Sequence, residues 1–477
     1  MKRLLLLVPM LGLPAVAQNA PPVPAPPPAA STSLTWPPTL DTKSTTTQST
    51  DGRTIEHYVH GPRKEWGYPA DAKWDYPASQ ENDSHLQNYN SFYLVAPKVP
   101  HENAPLCVVL HSANRTAYDY LVPSSLYTQI QKTDLTFGPE ASVTNSPDDF
   151  YALYLNSTND EFWGWAQARN SPNYAQHINV PPPVEMRVLD TIEWVVTKYK
   201  IDRNRIYLCG MSMGGCATLG MALSHGDIFA AARVAAPAGT DYASYRLGGF
   251  PPSPSTDTSN TARSVWTREV YGVGLPDPPV MVDFSSPVDS WSSSQPALLL
   301  AAQTGYMPLV LGWGPFGHTG DTRAIGKYPL CSVALAFPWL EIRKNEAYPV
   351  FTHASCDQQS PWLNTPVKFD ESGQMNAWFR WKNQKDTPTN FSMQLWIAHP
   401  TVANPPPQMP ESATTDITLK RLQQFKVQPG KSYTWQLLRD GQTVASGKTV
   451  PDAANLLILH QIGLTTAPSE LLLQAVQ

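Results

Sequence analysis

Cysteine is scarce in this sequence, and its placement argues against a cysteine-based metal site. Five cysteines occur among 477 residues, and their spacing matches no metal-ligand motif. Cys107 and Cys209 lie in apolar strand patterns, where cysteine is typically a small buried hydrophobic residue. Cys331 and Cys356 are able to bridge in an oxidising compartment, and the sequence leaves this question open.

Charge is also sparse, and its sign argues against two classes of partner. Charged residues make up 15% of the chain, and the formal net charge is -5. Lys and Arg form no cluster along the sequence. Nucleic acids and anionic membranes are bound by basic patches, so neither is expected as a partner.

The apolar run at the N-terminus is too short to span a membrane. Lys2 and Arg3 precede apolar residues 4–17, which close on a small-x-small sequence, and this predicts a signal peptide over residues 1–17. No cysteine follows the cleavage site, so no lipid anchor is expected. Losing two basic residues would lower the charge from -5 to -7. Residues 18–38 predict a Pro/Ala-rich tether. The mature protein is expected to be secreted or periplasmic, without stable membrane insertion.

A Gly-x-Ser-x-Gly motif centred on Ser212 is the strongest functional signal. Strand-forming residues 206–209 precede it, and helix-forming residues 216–223 follow it. A strand, a sharp turn and a helix in this order present the serine as a nucleophile. Gly210 and Gly214 let the strand and helix approach each other, and the Met213 N–H is a predicted oxyanion-hole donor. The alternative is a Gly/Ser loop between two ordinary elements.

The residues around this motif resemble α/β-hydrolase esterases. The run from Trp194 to Gly215 is similar to the secreted polyhydroxybutyrate-depolymerase and feruloyl-esterase-like group, with prolyl-oligopeptidase-type hydrolases next. The resemblance spans residues 105–344. It implies a doubly wound, mostly parallel sheet, a Ser–acid–His triad, no metal and no cofactor. It also implies that the loop after strand 105–110 supplies the second oxyanion N–H, from Ser112 or Ala113, although His111-Ser112 replaces the usual His-Gly pair.

Two further residues complete the predicted triad, which should follow the order Ser, acid, His. Asp289 follows a predicted strand, and His318 lies between glycines after the next strand, so these are the predicted acid and base. Asp283 would serve as the acid if the strand ended earlier. His353 is the rival base, although it falls beyond the last predicted hydrolase helix.

Aromatic residues near the predicted site suggest a substrate wall. Trp163 and Trp165 flank a glycine after a predicted central strand, where α/β sheets bind ligands. Trp266 lies in a predicted insertion or lid over residues 241–277. Plain packing explains the first two equally well, and a surface loop explains the third.

The chain length exceeds one ordinary core, so two domains are expected after the tether. Residues 39–344 are predicted as the α/β-hydrolase catalytic domain, with helices over residues 184–200 and 330–344. Residues 345–477 show short alternating strands and predict an all-β sandwich-like domain. This domain either contacts polysaccharide or braces the catalytic domain, and bracing is favoured for its aromatic residues Trp378, Trp381 and Trp396.

These patterns together predict a secreted serine esterase. The expected substrate is a small-molecule or polymeric ester, such as a polysaccharide-linked, aryl or polyester substrate, cleaved through an acyl-enzyme. One alternative is a prolyl-oligopeptidase-type peptidase with the same triad. The other is a non-catalytic carbohydrate-binding protein on a hydrolase scaffold.

Overall fold

The structure, a computed structural model, describes most of the two predicted domains. The described residues are 38–40, 47–48, 53–60, 91–113, 115–117, 120, 149–157, 162, 183–237, 276–292, 295–359, 371–453 and 455–476. The predicted signal peptide, nearly all of the tether and residues 241–275 of the insertion lie outside them. So do the three tryptophans predicted to bind substrate, Trp163, Trp165 and Trp266.

One large sheet of eleven strands organises the N-terminal part of the chain. Its strands are β1 Thr39–Leu40, β2 Thr47–Gln48, β3 Thr54–Val59, β4 Ser91–Val95, β5 Leu106–Leu110, β6 Tyr151–Leu155, β7 Ile206–Met211, β8 Ala231–Ala235, β9 Val280–Ser285, β10 Leu309–Trp313 and β12 Gly373–Met375. The order across the sheet is β1-β3-β4-β6-β5-β7-β8-β9-β10-β12, and β2 pairs with β3. Every neighbouring pair from β6 across to β10 is parallel, and the outer pairs are antiparallel.

The central strands are buried on both faces. All residues of β5 through β10 are buried. Cys107 and Val109 of β5 belong to one hydrophobic cluster, whereas Val108 and Leu110 belong to the other. Such two-sided burial explains why these strands read as continuous apolar runs. The predicted α/β sheet is confirmed in part: it is parallel from β6 to β10, but the whole sheet is mixed, because its outer strands pair antiparallel.

Helices connect the parallel strands. Their bounds are α1 Pro183–Tyr199, α2 Met213–Ser224, α3 Gln295–Gly305, α4 Thr322–Ile325 and α5 Pro329–Leu335. The predicted helix over residues 184–200 is confirmed by α1. The predicted helix over residues 330–344 is wrong in length, because α5 ends at Leu335 and a separate 3-10 turn spans Trp339–Glu341. Pro338 precedes that turn, and a proline ring excludes continuation of the helix into it. No helix in the described part of the chain combines the length and apolarity needed to cross a bilayer.

Strands after residue 344 form two antiparallel sheets. One pairs β11 Tyr348–Thr352, β15 Ser412–Lys420 and β18 Leu459–Thr465. The other has the order β13-β14-β19-β16-β17 and is formed by Phe379–Asp386, Asn390–Ile397, Ser469–Ala475, Tyr433–Arg439 and Gln442–Thr449. Strands β16 and β17 form a hairpin, in which Asp440 and Gly441 both have the positive φ of a primed turn. The antiparallel sheets agree with the all-β prediction for this part of the chain.

The C-terminal sheets pack closely against the large sheet. Strand β12, which comes from beyond residue 344, forms its edge beside β10. Arg421 donates hydrogen bonds to the carbonyls of Gly226, Phe229 and Ala230, which precede β8. Trp378 is fully buried in the cluster that both parts share. These contacts fit the bracing role better than an exposed aromatic surface.

The strand order reverses beside β5. The chain passes from β5 to β6 on one side and then returns to β7 on the other side. Ligands of open α/β sheets bind outside the carboxyl ends of the strands at such a reversal. Ser212 follows β7 and His111 follows β5, so both residues lie at this point.

Candidate active site

Ser212 stands on a strained turn between β7 and α2. Its φ of 57° and ψ of -118° fall in a region that residues with a side chain rarely adopt. A Cβ atom on Gly210 would overlap the carbonyl of Gly214, and one on Gly214 would overlap the carbonyl of Leu110. Only glycine fits at both positions, as the sharp strand–turn–helix connection requires.

His318 reaches Ser212 across the carboxyl edge of the sheet. Its Nε2 atom lies 2.8 Å from the Ser212 Oγ, although the two residues are 106 positions apart. The loop that carries His318 follows β10. Gly317 enters this loop with a φ of 70°, and its N–H donates to the Ser286 hydroxyl at 3.0 Å. The left-handed glycine and this bond fix the loop that presents the imidazole.

Asp289 holds the other side of the same ring. Its Oδ2 lies 2.7 Å from the His318 Nδ1, and its side chain is 2% exposed. The backbone N–H of Trp291 donates to the other carboxylate oxygen at 3.0 Å. An ionised carboxylate only accepts, so Nδ1 carries the proton and Nε2 is left to accept from the serine hydroxyl.

The alternative acid and base lie elsewhere. Asp283 is inside β9, where it accepts hydrogen bonds from the Ser285 hydroxyl at 2.5 Å and from Gln295 at 3.2 Å. Burial raises the pKa of Asp283 to about 6. His353 follows β11, and its Nδ1 lies 3.5 Å from a carboxylate oxygen of Asp416. The structure therefore brings Asp289 and His318 to Ser212 and directs Asp283 and His353 to other partners.

The predicted oxyanion-hole residues flank Ser212. Met213 is the first residue of α2, where backbone N–H groups have no partner within the helix. The Ser112 N–H donates to the Tyr120 hydroxyl at 3.1 Å, so this bond occupies the donor that the sequence assigned to the oxyanion. Of the two donors predicted in this loop, the Ser112 N–H is therefore already bound, which favours Ala113 as the predicted second donor.

His111 and Asn156 anchor this loop. The His111 Nδ1 donates to the Ser112 carbonyl, and its Nε2 accepts from the Ser157 N–H, both at 2.9 Å. Because both ring nitrogens bind backbone, His111 holds this loop in place. Asn156 accepts from the Ala117 N–H at 2.7 Å.

Sequence reasoning missed three side chains at this site. Tyr120 and Asn156 meet the oxyanion loop only through the fold, so no spacing in the chain identifies them. Trp291 had a local signal, since it lies two residues after the predicted acid. Its ring centroid is 6.5 Å from that of His318.

Comparison with known proteins gives one family and several structures. The model of the prolyl oligopeptidase family matches residues 187–249, which include β7, Ser212 and α2. A comparison with curated protein sequences gives no match. The matched segment contains the strand, the serine turn and the helix described above, whereas Asp289 and His318 lie outside it.

Solved structures similar to part of the chain include hydrolases and esterases. An S-formylglutathione hydrolase from Staphylococcus aureus is 14% identical over 48% of this chain and 84% of that chain, with a TM-score of 0.31. An S-formylglutathione hydrolase from Agrobacterium tumefaciens is 12% identical over 58% and 92%, with a TM-score of 0.34. An acetyl xylan esterase from Aspergillus awamori is 16% identical over 42% and 68%, with a TM-score of 0.27.

Proposed function

We propose that this chain is a serine hydrolase that cleaves carboxylic esters through an acyl-enzyme. The observation that carries the proposal is the continuous hydrogen-bond chain from Ser212 through His318 to Asp289. Fold alone does not decide activity. A serine hydroxyl that is hydrogen-bonded to a histidine, which a carboxylate orients in turn, is the arrangement that activates a nucleophile. A free serine hydroxyl is a weak nucleophile. Beside the Ser212 hydroxyl lies a base that is able to accept its proton.

Acylation begins when the Ser212 Oγ attacks the ester carbonyl and His318 Nε2 takes its proton. Asp289 stabilises the imidazolium that forms. The carbonyl oxygen becomes an oxyanion, which the N–H of Met213 and an N–H of the loop after β5 stabilise. His318 then donates the proton to the leaving alcohol oxygen as the ester bond breaks.

Deacylation repeats these steps with water. His318 takes a proton from the attacking water, the acyl–Ser212 bond breaks, and the proton returns to the Ser212 oxygen. The products are an acid and an alcohol. The chain's own side chains supply each proton acceptor and donor in this sequence.

The proposed substrates are polysaccharide-linked, aryl and polyester compounds. The proposed location is secreted or periplasmic, and the proposed group is the depolymerase and feruloyl-esterase-like group. The predicted signal peptide supports export. Polymer contact through the C-terminal sheets would use Trp381 or Trp396, which are half-buried, rather than the buried Trp378.

A peptidase is the second candidate, because the matched family segment is that of prolyl oligopeptidases. The two candidates are separated by measuring kcat/KM for phenyl acetate and for an aminoacyl-prolyl amide with the same preparation. The esterase proposal expects turnover of the ester that depends on Ser212, and no turnover of the amide that depends on Ser212. A preference for the amide would support the peptidase instead. Ser212→Ala should remove whichever activity is found.

A further inference from the structure

Trp291 is an exposed aromatic residue beside the proposed catalytic base. Its side chain is 45% exposed, and it is the one aromatic residue among the large exposed hydrophobics of the described part of the chain. A single exposed apolar side chain is ordinary on a protein surface, but aromatic rings bind flat apolar faces well. The position of Trp291 next to His318 makes it a candidate contact for substrate.

The backbone that carries Trp291 is fixed to the acid loop. Trp291 lies in a 3-10 turn, Ser290–Ser292, that begins directly after Asp289. Its N–H binds the Asp289 carboxylate at 3.0 Å, and the Ser292 hydroxyl donates to the carbonyls of Ser286 and Asp289 at 2.8 Å each. The turn therefore fixes the Trp291 backbone beside the loop that holds His318. Such preorganisation lowers the entropy cost of binding.

The proposed mechanism indicates which half of an ester the indole would contact. In the proposed mechanism His318 donates its proton to the leaving alcohol oxygen, so that oxygen must lie within about 3 Å of Nε2. The indole centroid is 6.5 Å from the imidazole centroid, with an angle of 40° between the rings. The indole thus lies beside the residue that protonates the leaving oxygen, and a ring carried on that oxygen comes within its reach. The acyl group is held instead on Ser212.

We propose that Trp291 forms the wall of the leaving-group subsite and selects esters of ring-shaped alcohols. The ligand chemistry is a flat face of C–H groups or π electrons, as in a pyranose or a phenol. This inference rests on the proposed serine hydrolase function and deepens it, because it assigns specificity to the alcohol half of the substrate.

The test compares acetate esters that differ only in the alcohol: ethyl acetate, phenyl acetate and a mono-O-acetyl pyranoside. For each ester the kcat/KM of Trp291→Ala is divided by that of the unsubstituted protein, so the intrinsic reactivity of the ester cancels. This quotient should be about tenfold lower for the ring esters than for ethyl acetate, which is the effect expected from losing one aromatic stacking contact. The loss should appear mainly as a higher KM. Trp291→Phe, which keeps a ring, should recover most of the loss.

Two controls separate this role from a structural one. Val444, on β17, is as exposed as Trp291 at 49%, so Val444→Ala tests removal of surface hydrophobic area away from the site and should change none of the quotients. Ethyl esters of different acids vary the other half of the substrate. Their quotients for Trp291→Ala should match that of ethyl acetate.

The outcomes are distinct. A loss confined to phenyl acetate would identify an aryl alcohol, and one confined to the pyranoside would identify a sugar; either supports the subsite. An equal loss on all esters, or a loss that follows the acyl group, would overturn the subsite while leaving the serine hydrolase in place. Turnover of none of these esters by the unsubstituted protein would overturn the proposed function and the subsite with it.

Discussion

The carboxylate of Asp289 lies 2.7 Å from the Nδ1 of His318. This contact links two loops that follow neighbouring parallel strands, β9 and β10. It also fixes which imidazole nitrogen faces Ser212, and the proposed chemistry depends on that orientation. The predictions below test this arrangement and the parts of the fold that hold it.

Asp289 and Asp283 should respond very differently to loss of charge. Asp289→Asn is expected to lower kcat about 10³–10⁴-fold, because an amide no longer fixes the tautomer or stabilises the imidazolium. Asp283→Asn is the matched control, since its carboxylate binds Ser285 and Gln295 rather than His318. Ester hydrolysis by the two variants at saturating substrate checks this. The reverse pattern would assign the acid to Asp283.

The buried Asp283 should make folding stability depend on pH. Burial raises the pKa of Asp283 to about 6, whereas an unfolded aspartate titrates near ~3.9. The folded protein then binds the proton more tightly, so this contribution is fully present below pH ~4 and is lost as the pH rises through about 6. Asp283→Asn removes this contribution.

Urea unfolding at pH 4 and pH 7 measures the effect. Between the two pH values, the unfolding free energy of the unsubstituted protein should fall by about 2–3 kcal/mol more than that of Asp283→Asn. Loss of the carboxylate's hydrogen bonds affects both pH values and cancels in this comparison. Equal pH dependence in the two proteins would show that the carboxyl is charged in the fold.

The strain at Ser212 predicts that function and stability conflict there. Glycine adopts a φ of 57° without a clash, so Ser212→Gly should be about 1 kcal/mol more stable than Ser212→Ala. Thermal unfolding of both inactive variants tests this. Ala222→Gly, inside α2, is the control and should destabilise, because its backbone is ordinary helix. A less stable Ser212→Gly would mean that the turn is unstrained.

Asn156 should matter for catalysis through the loop that it anchors. Asn156→Ala loses the bonds to the Ala117 N–H and the Ser91 hydroxyl, each 2.7 Å long. We expect the free energy of unfolding to fall by about 1–3 kcal/mol, and kcat to fall at least about tenfold through a displaced oxyanion donor. Ser91→Ala removes only the second bond. It should leave kcat close to that of the unsubstituted protein; an equal drop in both variants would count against the loop's role.

Local signals in the sequence were enough to predict the serine turn and the central sheet. Ser212 is framed by glycines that only a close strand–helix approach requires, and two-sided burial makes β5 to β10 continuously apolar. The short helix α5 was mispredicted although Pro338 carried the relevant signal.

The choice of acid depended on where a strand ends, which the sequence alone left open. Strand β9 runs to Ser285, so Asp283 lies within the sheet and Asp289 beyond it. Tertiary packing brings Tyr120 to Ser112, and it also brings Asn156 to the loop that Asn156 anchors. No periodicity in the sequence encodes such contacts. Trp291 was visible in the sequence, but its meaning required the position of His318.

Covalent labelling tests the central claim most directly. The mature protein would be treated with a fluorophosphonate, which reacts with activated serines, and the modified peptide would be mapped by mass spectrometry. The account predicts one adduct on Ser212, none in Ser212→Ala, and much slower labelling in His318→Ala. A folded protein that remains unlabelled, or that is labelled equally fast without His318, would contradict the account.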